Sequence, residues 1–207
     1  MSKGKPILDN DQSARFAKWI ARLEQHSEAY RSAFGQLDEG ALNWKPSAKD
    51  WSVGQCIDHV IVTNQIYKPI FDRVISGDRR KRLFERFTPA ADFFGDFLLK
   101  IVSPTNARKT KTMPVFEPAT SDVPADIVEQ FASHQEVLIG WYRQLEDADL
   151  RQVVTSPASG AIIYRLEKVL EILPAHEERH FLQAGRLLRA YEEATGKRAS
   201  TTGSRIP

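Results

Sequence analysis

Apolar residues recur every three or four positions over four long stretches of the chain, which is the spacing of one buried face of an α-helix. These stretches span residues 11–37, 52–76, 124–145 and 161–194. In the second stretch, Ser52 and Gln55 match the S-x-x-Q capping box of a helix start. Pro69 lies in the same stretch and predicts a kink or break, because proline lacks an amide hydrogen and clashes with the preceding turn. The periodicity therefore predicts four long amphipathic helices.

The connection between the second and third helices is long and irregular. Thr88 followed by Pro89 is typical of a helix start and predicts a short apolar helix over residues 90–102. Residues 103–121 contain several prolines and no sustained period, so they predict an excursion over the surface. Long loops of this kind are uncommon unless they have a function, and covering a site is one function that fits.

Four amphipathic helices without convincing strand alternation predict an all-α fold, a four-helix bundle with a long connection between helices two and three. The chain has 207 residues and no internal repeat. We expect one domain over residues 1–195 and a disordered tail over the small, polar residues 196–207.

The charge of the chain is nearly balanced. There are 29 basic and 27 acidic residues, a formal net charge of +2. The basic stretches at 79–82 and 106–111 lack interleaved aromatic residues, so they predict solvated loops and no nucleic-acid partner. A small molecule is the expected substrate.

Cys56 is the single cysteine, which rules out an intrachain disulfide and fits a reducing compartment. The first residues lack the apolar segment of a signal peptide, and no apolar run approaches the roughly 18 residues of a membrane span. We therefore expect a cytoplasmic protein without a membrane partner.

Three of the five histidines are candidates for a shared site. The apolar stripe of the last helix continues through His176 and His180, and residues four apart on a helix can direct two ring nitrogens at one ion. His59 lies on one face of the second helix with Cys56 and could enter the same space. Two imidazoles buried without partners would be costly, so a metal ion shared between them and a structural role for both are equally good interpretations of the sequence.

Other polar residues near these faces have structural alternatives. We expect His26 and His134 to be core histidines with hydrogen-bond partners, because single inward histidines are more often structural than metal ligands. Cys56 is a soft ligand candidate, although a buried structural thiol is commoner. Gln55 and Gln183 share a helical face with a proposed ligand and could hold a water molecule, or make ordinary interhelical hydrogen bonds.

His176, Glu177 and His180 also spell HExxH, the zinc-binding motif of many proteases. The extended form of that motif requires a glycine and a third histidine further along the helix. Those positions hold Gln183 and Arg186. The motif therefore does not predict a protease.

Two segments carry a more specific pattern, "NWKPSAKDWSVGQCIDHVIVTNQIY" at 43–67 and "LEILPAHEERHFLQAGRLL" at 170–188. They resemble the DinB-like superfamily of bacterial four-helix bundles, which have a W-S-[IV]-G loop end, one histidine on helix two and an H-x-x-R-H-x-x-Q run. His59 matches the histidine on helix two, and the H-x-x-R-H-x-x-Q run is matched by His176, Arg179, His180 and Gln183.

The resemblance implies an up-up-down-down bundle, frequently a homodimer, that binds a divalent metal ion such as nickel or zinc through His59, His176 and His180. Some members of this family are thiol transferases or isomerases that use a low-molecular-weight thiol as co-substrate. No family role attaches to Glu177.

Three hypotheses for the function follow, since three neutral imidazoles leave a coordination position open. The first is a metal-dependent thiol transferase or isomerase acting on a small electrophile. The second is a metal-dependent hydrolase with Glu177 as candidate general base. Glu177 is one helix step of about 100° from His176, so a solvated surface charge is its alternative. The third is a binding module pinned by a metal ion, without catalysis.

Overall fold

The computed structural model describes residues 10–78, 88–106 and 112–197. This part of the chain is mostly helical, with one 3₁₀ turn at Pro114–Phe116 and one antiparallel pair of short strands. The helices are α1 (Asn10–Phe34), α2 (Glu39–Asn43), α3 (Val53–Ile66), α4 (Lys68–Ile75), α5 (Thr88–Val102), α6 (Ile127–Gln144) and α7 (Leu166–Thr195), and the strands are β1 (Val153–Thr155) and β2 (Ile163–Arg165).

Helices α1, α3, α6 and α7 form the predicted four-helix bundle. Helices α1 and α7 are parallel, as shown by the contacts Arg15–Glu167 and Phe34–Phe181. Helices α3 and α7 are antiparallel, as shown by Trp51–His180 and Tyr67–Tyr164 at their ends. Helices α1 and α6 are also antiparallel, as shown by Tyr30–Phe131 and Glu24–Arg143. The order is therefore up-down-down-up, and the up-up-down-down order implied by the resemblance is wrong. The long connection returns the chain to the end of the bundle where α3 begins, so α6 runs parallel to α3.

The second predicted helix is broken as its proline indicates. Helix α3 starts with a complete capping box between Ser52 and Gln55 and ends at Ile66, and α4 begins at Lys68 with Pro69 in its first turn. The apolar helix after Thr88 is also confirmed as α5. These predictions rest on local chemistry that the sequence contains: the missing amide of Pro69, the reciprocal cap of Ser52 and Gln55, and the helix start at Thr88–Pro89.

The last predicted helix begins later than expected. Residues 161–165 precede α7, and Ile163–Arg165 pairs with Val153–Thr155 as a two-stranded sheet. This minor sheet was not predicted, and the all-α fold class is confirmed. Strands of three residues are too short to show alternation, and all three residues of β1 are buried.

Apolar side chains form two large clusters, one at each end of the bundle. On α1 the first cluster ends at Leu23 and the second begins at Tyr30. The same change from one cluster to the other occurs along α6 and α7, and between α3 and Tyr67 directly after it. Buried polar residues occupy the level between them, namely His26, Asn64, Gln135 and Glu177. The core is thus divided by a polar layer to which each of the four helices contributes.

Helix α7 continues through Pro174 without interruption. Pro174 has no amide hydrogen, so it cannot donate to the carbonyl of Leu170, four residues earlier. The hydroxyl of Tyr142 donates to that carbonyl at 3.1 Å. A side chain of α6 thereby replaces the missing helical hydrogen bond, and the helix reaches the predicted histidines intact.

None of the helices in the described ranges has the length and apolar character needed to cross a lipid bilayer. The basic stretch 79–82, most of the stretch 106–111 and the tail from residue 198 onward lie outside the described residues.

Candidate metal centre

The structure brings together the three histidines that the sequence singled out. His59 extends from α3, and His176 and His180 extend from successive turns of α7. Each contributes one ring nitrogen to a group whose atoms all lie within 4.8 Å of one another, and all three side chains are buried. The group could hold a metal ion, and within the described residues it contains no carboxylate or thiol.

The hydrogen bonds of these rings leave nitrogens for a cation. His59 donates its Nδ1–H to the carbonyl of Phe116, so its Nε2 carries a lone pair. That lone pair faces Nε2 of His176 at 3.1 Å. Nδ1 of His176 and Nδ1 of His180 are both buried without a hydrogen-bond partner in the described part of the chain. A divalent cation fits this arrangement because it would satisfy lone pairs that otherwise remain unpaired in a dry interior.

Burial keeps the three rings neutral. It lowers the pKa of His59 to about 4, against the opposing effect of the hydrogen bond to Phe116. The pKa of His176 is lowered well below its usual value by burial, then by His59 and Arg179. Burial also lowers the pKa of His180 strongly, while a side-chain hydrogen bond with Gln183 opposes the shift. Neutral imidazoles are the form that binds metal, so the site needs no deprotonation at neutral pH.

An aromatic ring and an arginine flank the histidines. The Trp51 ring centroid lies 4.8 Å from that of His59 and 6.0 Å from that of His180, stacked on the latter at 29°. Arg179 lies beside His180 in the chain and donates to the backbone carbonyls of Ser103 and Asn106. It therefore attaches the residues that follow α5 to α7 next to the histidines. Its positive charge also contributes to the lowered pKa values of His176 and His180.

Residues 112–121, within the irregular stretch 103–121, contact His59 and its neighbours on α3. Besides the Phe116 carbonyl on His59, the amide of Ala119 donates to Oδ2 of Asp58 at 2.6 Å. Gln55 donates through Nε2 to the carbonyl of Thr120 at 3.2 Å while its Oε1 completes the cap of α3. Asp58 and Gln55 thus fasten the residues that follow Phe116 to the start of α3.

Glu177 is fully buried, so its interpretation as a solvated surface charge was wrong. Its Oε1 accepts hydrogen bonds from Asn64 Nδ2 and Gln135 Nε2, each at 2.8 Å. Its Oε2 accepts from His26 Nδ1 at 2.8 Å. We call these four residues, His26, Asn64, Gln135 and Glu177, the Glu177 cluster. Both carboxylate oxygens accept hydrogen bonds from side chains of the other three bundle helices, and this engagement disfavours a role for Glu177 as a general base.

The remaining candidates have structural environments. Cys56 is buried in the apolar cluster with Tyr30 and Phe34, and burial raises the pKa of its thiol. Gln55 makes a cap and an anchor through its side-chain amide. His134 packs edge-on against Trp141, and its Nε2 has no hydrogen-bond partner within the described residues. The structure thus places none of these side chains in the group that could hold a metal ion.

Sequence reasoning missed Asn64 and Gln135. Each is a single amide on a helical face that is otherwise apolar, between Ile61 and Tyr67 on α3 and between Phe131 and Leu138 on α6. A lone polar residue at a core position was the available signal, but its partner could not be named, because Glu177 is distant in the chain.

A family model described as the DinB superfamily matches residues 22–184, a range that reaches from α1 to α7 and includes all three histidines. No curated protein and no solved structure matches the chain significantly. The family match and the helical bundle agree with the resemblance found in the sequence. The chain belongs to the DinB superfamily.

Proposed function

We propose that this protein binds a divalent metal ion, nickel or zinc, through His59, His176 and His180, and that it transfers a low-molecular-weight thiol to a small electrophile or isomerises such a substrate. The observation that carries the proposal is the donor set, three neutral imidazoles without a carboxylate. Imidazole suits nickel and zinc, and three protein ligands with one open position are typical of catalytic sites.

The charge of the site supports an anionic ligand at the open position. Three neutral rings leave the charge of a divalent ion uncompensated, and Arg179 adds a further positive charge nearby. A divalent ion held by His59, His176 and His180 would favour the thiolate form of a coordinating thiol at neutral pH. In conjugation to an activated alkene a C–S bond forms, the S–H bond and the π bond break, and the proton passes to the adjacent carbon. With an aryl halide the C–S bond replaces the carbon–halogen bond, the halide ion leaves, and the thiol proton passes to solvent.

The protein's own residues have separate tasks in this proposal. Phe116 fixes the tautomer and orientation of His59 through its carbonyl. Trp51 excludes water from one side of the His59 and His180 rings. The hydrolase alternative is weaker, because the two oxygens of Glu177 are already held by its cluster.

The test combines elemental analysis of untagged protein with a conjugation assay. We expect one nickel or zinc per chain, loss of that metal in His59→Ala, and its retention in His134→Ala, which removes a buried histidine outside the group. Metal retained at full stoichiometry in His59→Ala would overturn the site.

The activity is tested with metal-loaded protein, an activated alkene or aryl halide, and cysteine, glutathione or sugar-linked cysteine thiols. Product formation that requires both thiol and metal supports a transferase. Absence of product with every thiol would overturn it. A large loss of thermal stability on metal removal would then indicate a structural role for the metal ion. Ester cleavage that does not depend on thiol would indicate a hydrolase.

A further inference from the structure

We infer that Glu177 is a positioning residue for the metal centre, acting through the polar layer that it holds together. This inference rests on the proposed function, since it concerns the alignment of the proposed metal ligands. Glu177 follows His176 directly in α7, but its carboxylate is bound to α1, α3 and α6. Every helix of the bundle therefore meets at the residue next to a proposed ligand.

The contact between Asn64 and Glu177 joins the same two helices as the histidine group. His59 and Asn64 lie five residues apart on α3, and their partners His176 and Glu177 are adjacent on α7. The two cross-links measure 3.1 Å between Nε2 atoms and 2.8 Å between Asn64 and Glu177. Because a helix is rigid over such a distance, a shift of α7 along or about its axis would disturb both cross-links together.

The chemistry of the Glu177 cluster requires a carboxylate. Three donors converge on two oxygens, and only an ionised carboxylate accepts from all of them without offering a donor of its own. Asn64 Oδ1 and Gln135 Oε1 are buried with no hydrogen-bond partner among the described residues. Both amides thus direct their nitrogens at Glu177 and leave their oxygens without a hydrogen bond. This indicates that hydrogen bonds to the charged carboxylate are stronger than those the amide oxygens would otherwise accept.

The backbone of Glu177 is held as well. The hydroxyl of Tyr30 donates to the Glu177 carbonyl at 2.8 Å. The Glu177 side chain and its carbonyl thus bind α1 through two different residues, His26 and Tyr30. Burying a charge costs several kcal/mol unless it is well paired, so an arrangement that breaks these contacts is unfavourable. These contacts fix the rotation of α7 that turns His176 and His180 towards His59.

The experiment uses the full chain with cobalt(II) as a spectroscopic probe, because its visible absorption reports ligand number and geometry. Glu177→Gln replaces one accepting oxygen by an NH₂ group facing donors. Gln135→Met removes one donor from α6, which carries none of the three histidines, and leaves the charge of Glu177 in place. Glu178→Gln is the matched control, since Glu178 is the next residue and pairs with Arg22 at the surface.

We expect Glu177→Gln and Gln135→Met to weaken metal binding by about 10- to 100-fold and to change the cobalt spectrum, and Glu178→Gln to do neither. Affinity is measured by chelator competition, and circular dichroism verifies the fold of each variant. Variants that melt earlier but keep the wild-type affinity and spectrum would overturn this role alone. If wild-type protein supplied with cobalt(II) shows no visible absorption from bound cobalt, both the proposed function and this role of Glu177 are overturned.

Discussion

Nε2 of His59 and Nε2 of His176 lie 3.1 Å apart, although 117 residues separate the two histidines in the chain. His59 uses its other nitrogen to donate to Phe116, so its Nε2 can only accept. If His176 donates from Nε2, its buried Nδ1 is left with an unpaired lone pair. If it does not, two lone pairs face each other. Either state is unfavourable without a cation, and this cost sets the first expectation.

Metal ions should stabilise the folded protein. Saturation with nickel or zinc at a hundred times the dissociation constant adds about 2.7 kcal/mol to the free energy of unfolding. Differential scanning calorimetry with and without metal measures the gain. His180→Ala should abolish it and His134→Ala should keep it. Identical melting temperatures for metal-free and metal-supplied wild-type protein would contradict the site.

The metal-free protein should lose stability in mild acid. The pKa of His59 falls from 6.5 to about 4 on burial, and the pKa values of His176 and His180 are also lowered. Between pH 6.5 and about 4, the two pKa values of His59, the unfolded chain binds protons that the folded chain does not. The free energy of unfolding therefore decreases as pH falls through this range. Above the unfolded pKa these rings contribute no pH dependence. Urea titrations across that range test this, and His59→Ala should show a shallower slope.

Tyr142→Phe should destabilise the protein by about 1–3 kcal/mol, because the carbonyl of Leu170 would lose its hydrogen bond inside the core. Pro174 cannot supply a substitute. Urea denaturation measures the loss. Tyr191→Phe alters another buried tyrosine without affecting Leu170 and should cost less than Tyr142→Phe. Equal effects of the two substitutions would show that Tyr142 does not repair the helix.

Cys56 should be unreactive in the native state. Burial raises the pKa of its thiol, and the thiolate is the reactive form. Reaction with a chromogenic disulfide should release no thiolate chromophore from folded protein and one equivalent in denaturant. Rapid labelling of folded protein would contradict this expectation, because it would show that the reagent reaches the Cys56 thiol in the native state.

Asp58→Ala should release metal faster by roughly three- to tenfold, since the segment of residues 112–121 loses the bond from the Ala119 amide. Transfer of metal to a chromogenic chelator measures the release rate. Asp72→Ala breaks a surface pair with Lys68 and serves as control. Equal release rates for Asp58→Ala and wild type would show that the segment does not limit metal exit.

The sequence predicted those parts of the site that depend on one helix at a time. His176 and His180 share a face because they are four residues apart, and Pro69 breaks its helix for a local reason. The direction of α6 could not be predicted, because it depends on where a long connection crosses the bundle. The short strands were missed because three residues show no period.

The burial of Glu177 shows a further limit of helical periodicity. One helix step turns Glu177 away from the space shared by His59 and His176, and this suggested solvent. In the bundle, however, α7 faces α1 on one side and α3 on another, so a residue that leaves one interface enters the next. A periodic pattern identifies an inward stripe, but the width of that stripe depends on how many neighbours surround the helix.

The stacking of Trp51 on His180 gives the protein an optical indicator of its own state. Indole emission is sensitive to the charge and occupancy of an adjacent imidazole, and this ring lies within 6.0 Å of two proposed ligands. Filling or emptying of the centre should therefore change the intrinsic fluorescence of the unlabelled chain, and Trp51→Phe should remove the signal. Occupancy could then be followed in real time without a chelator, a tag or a substrate.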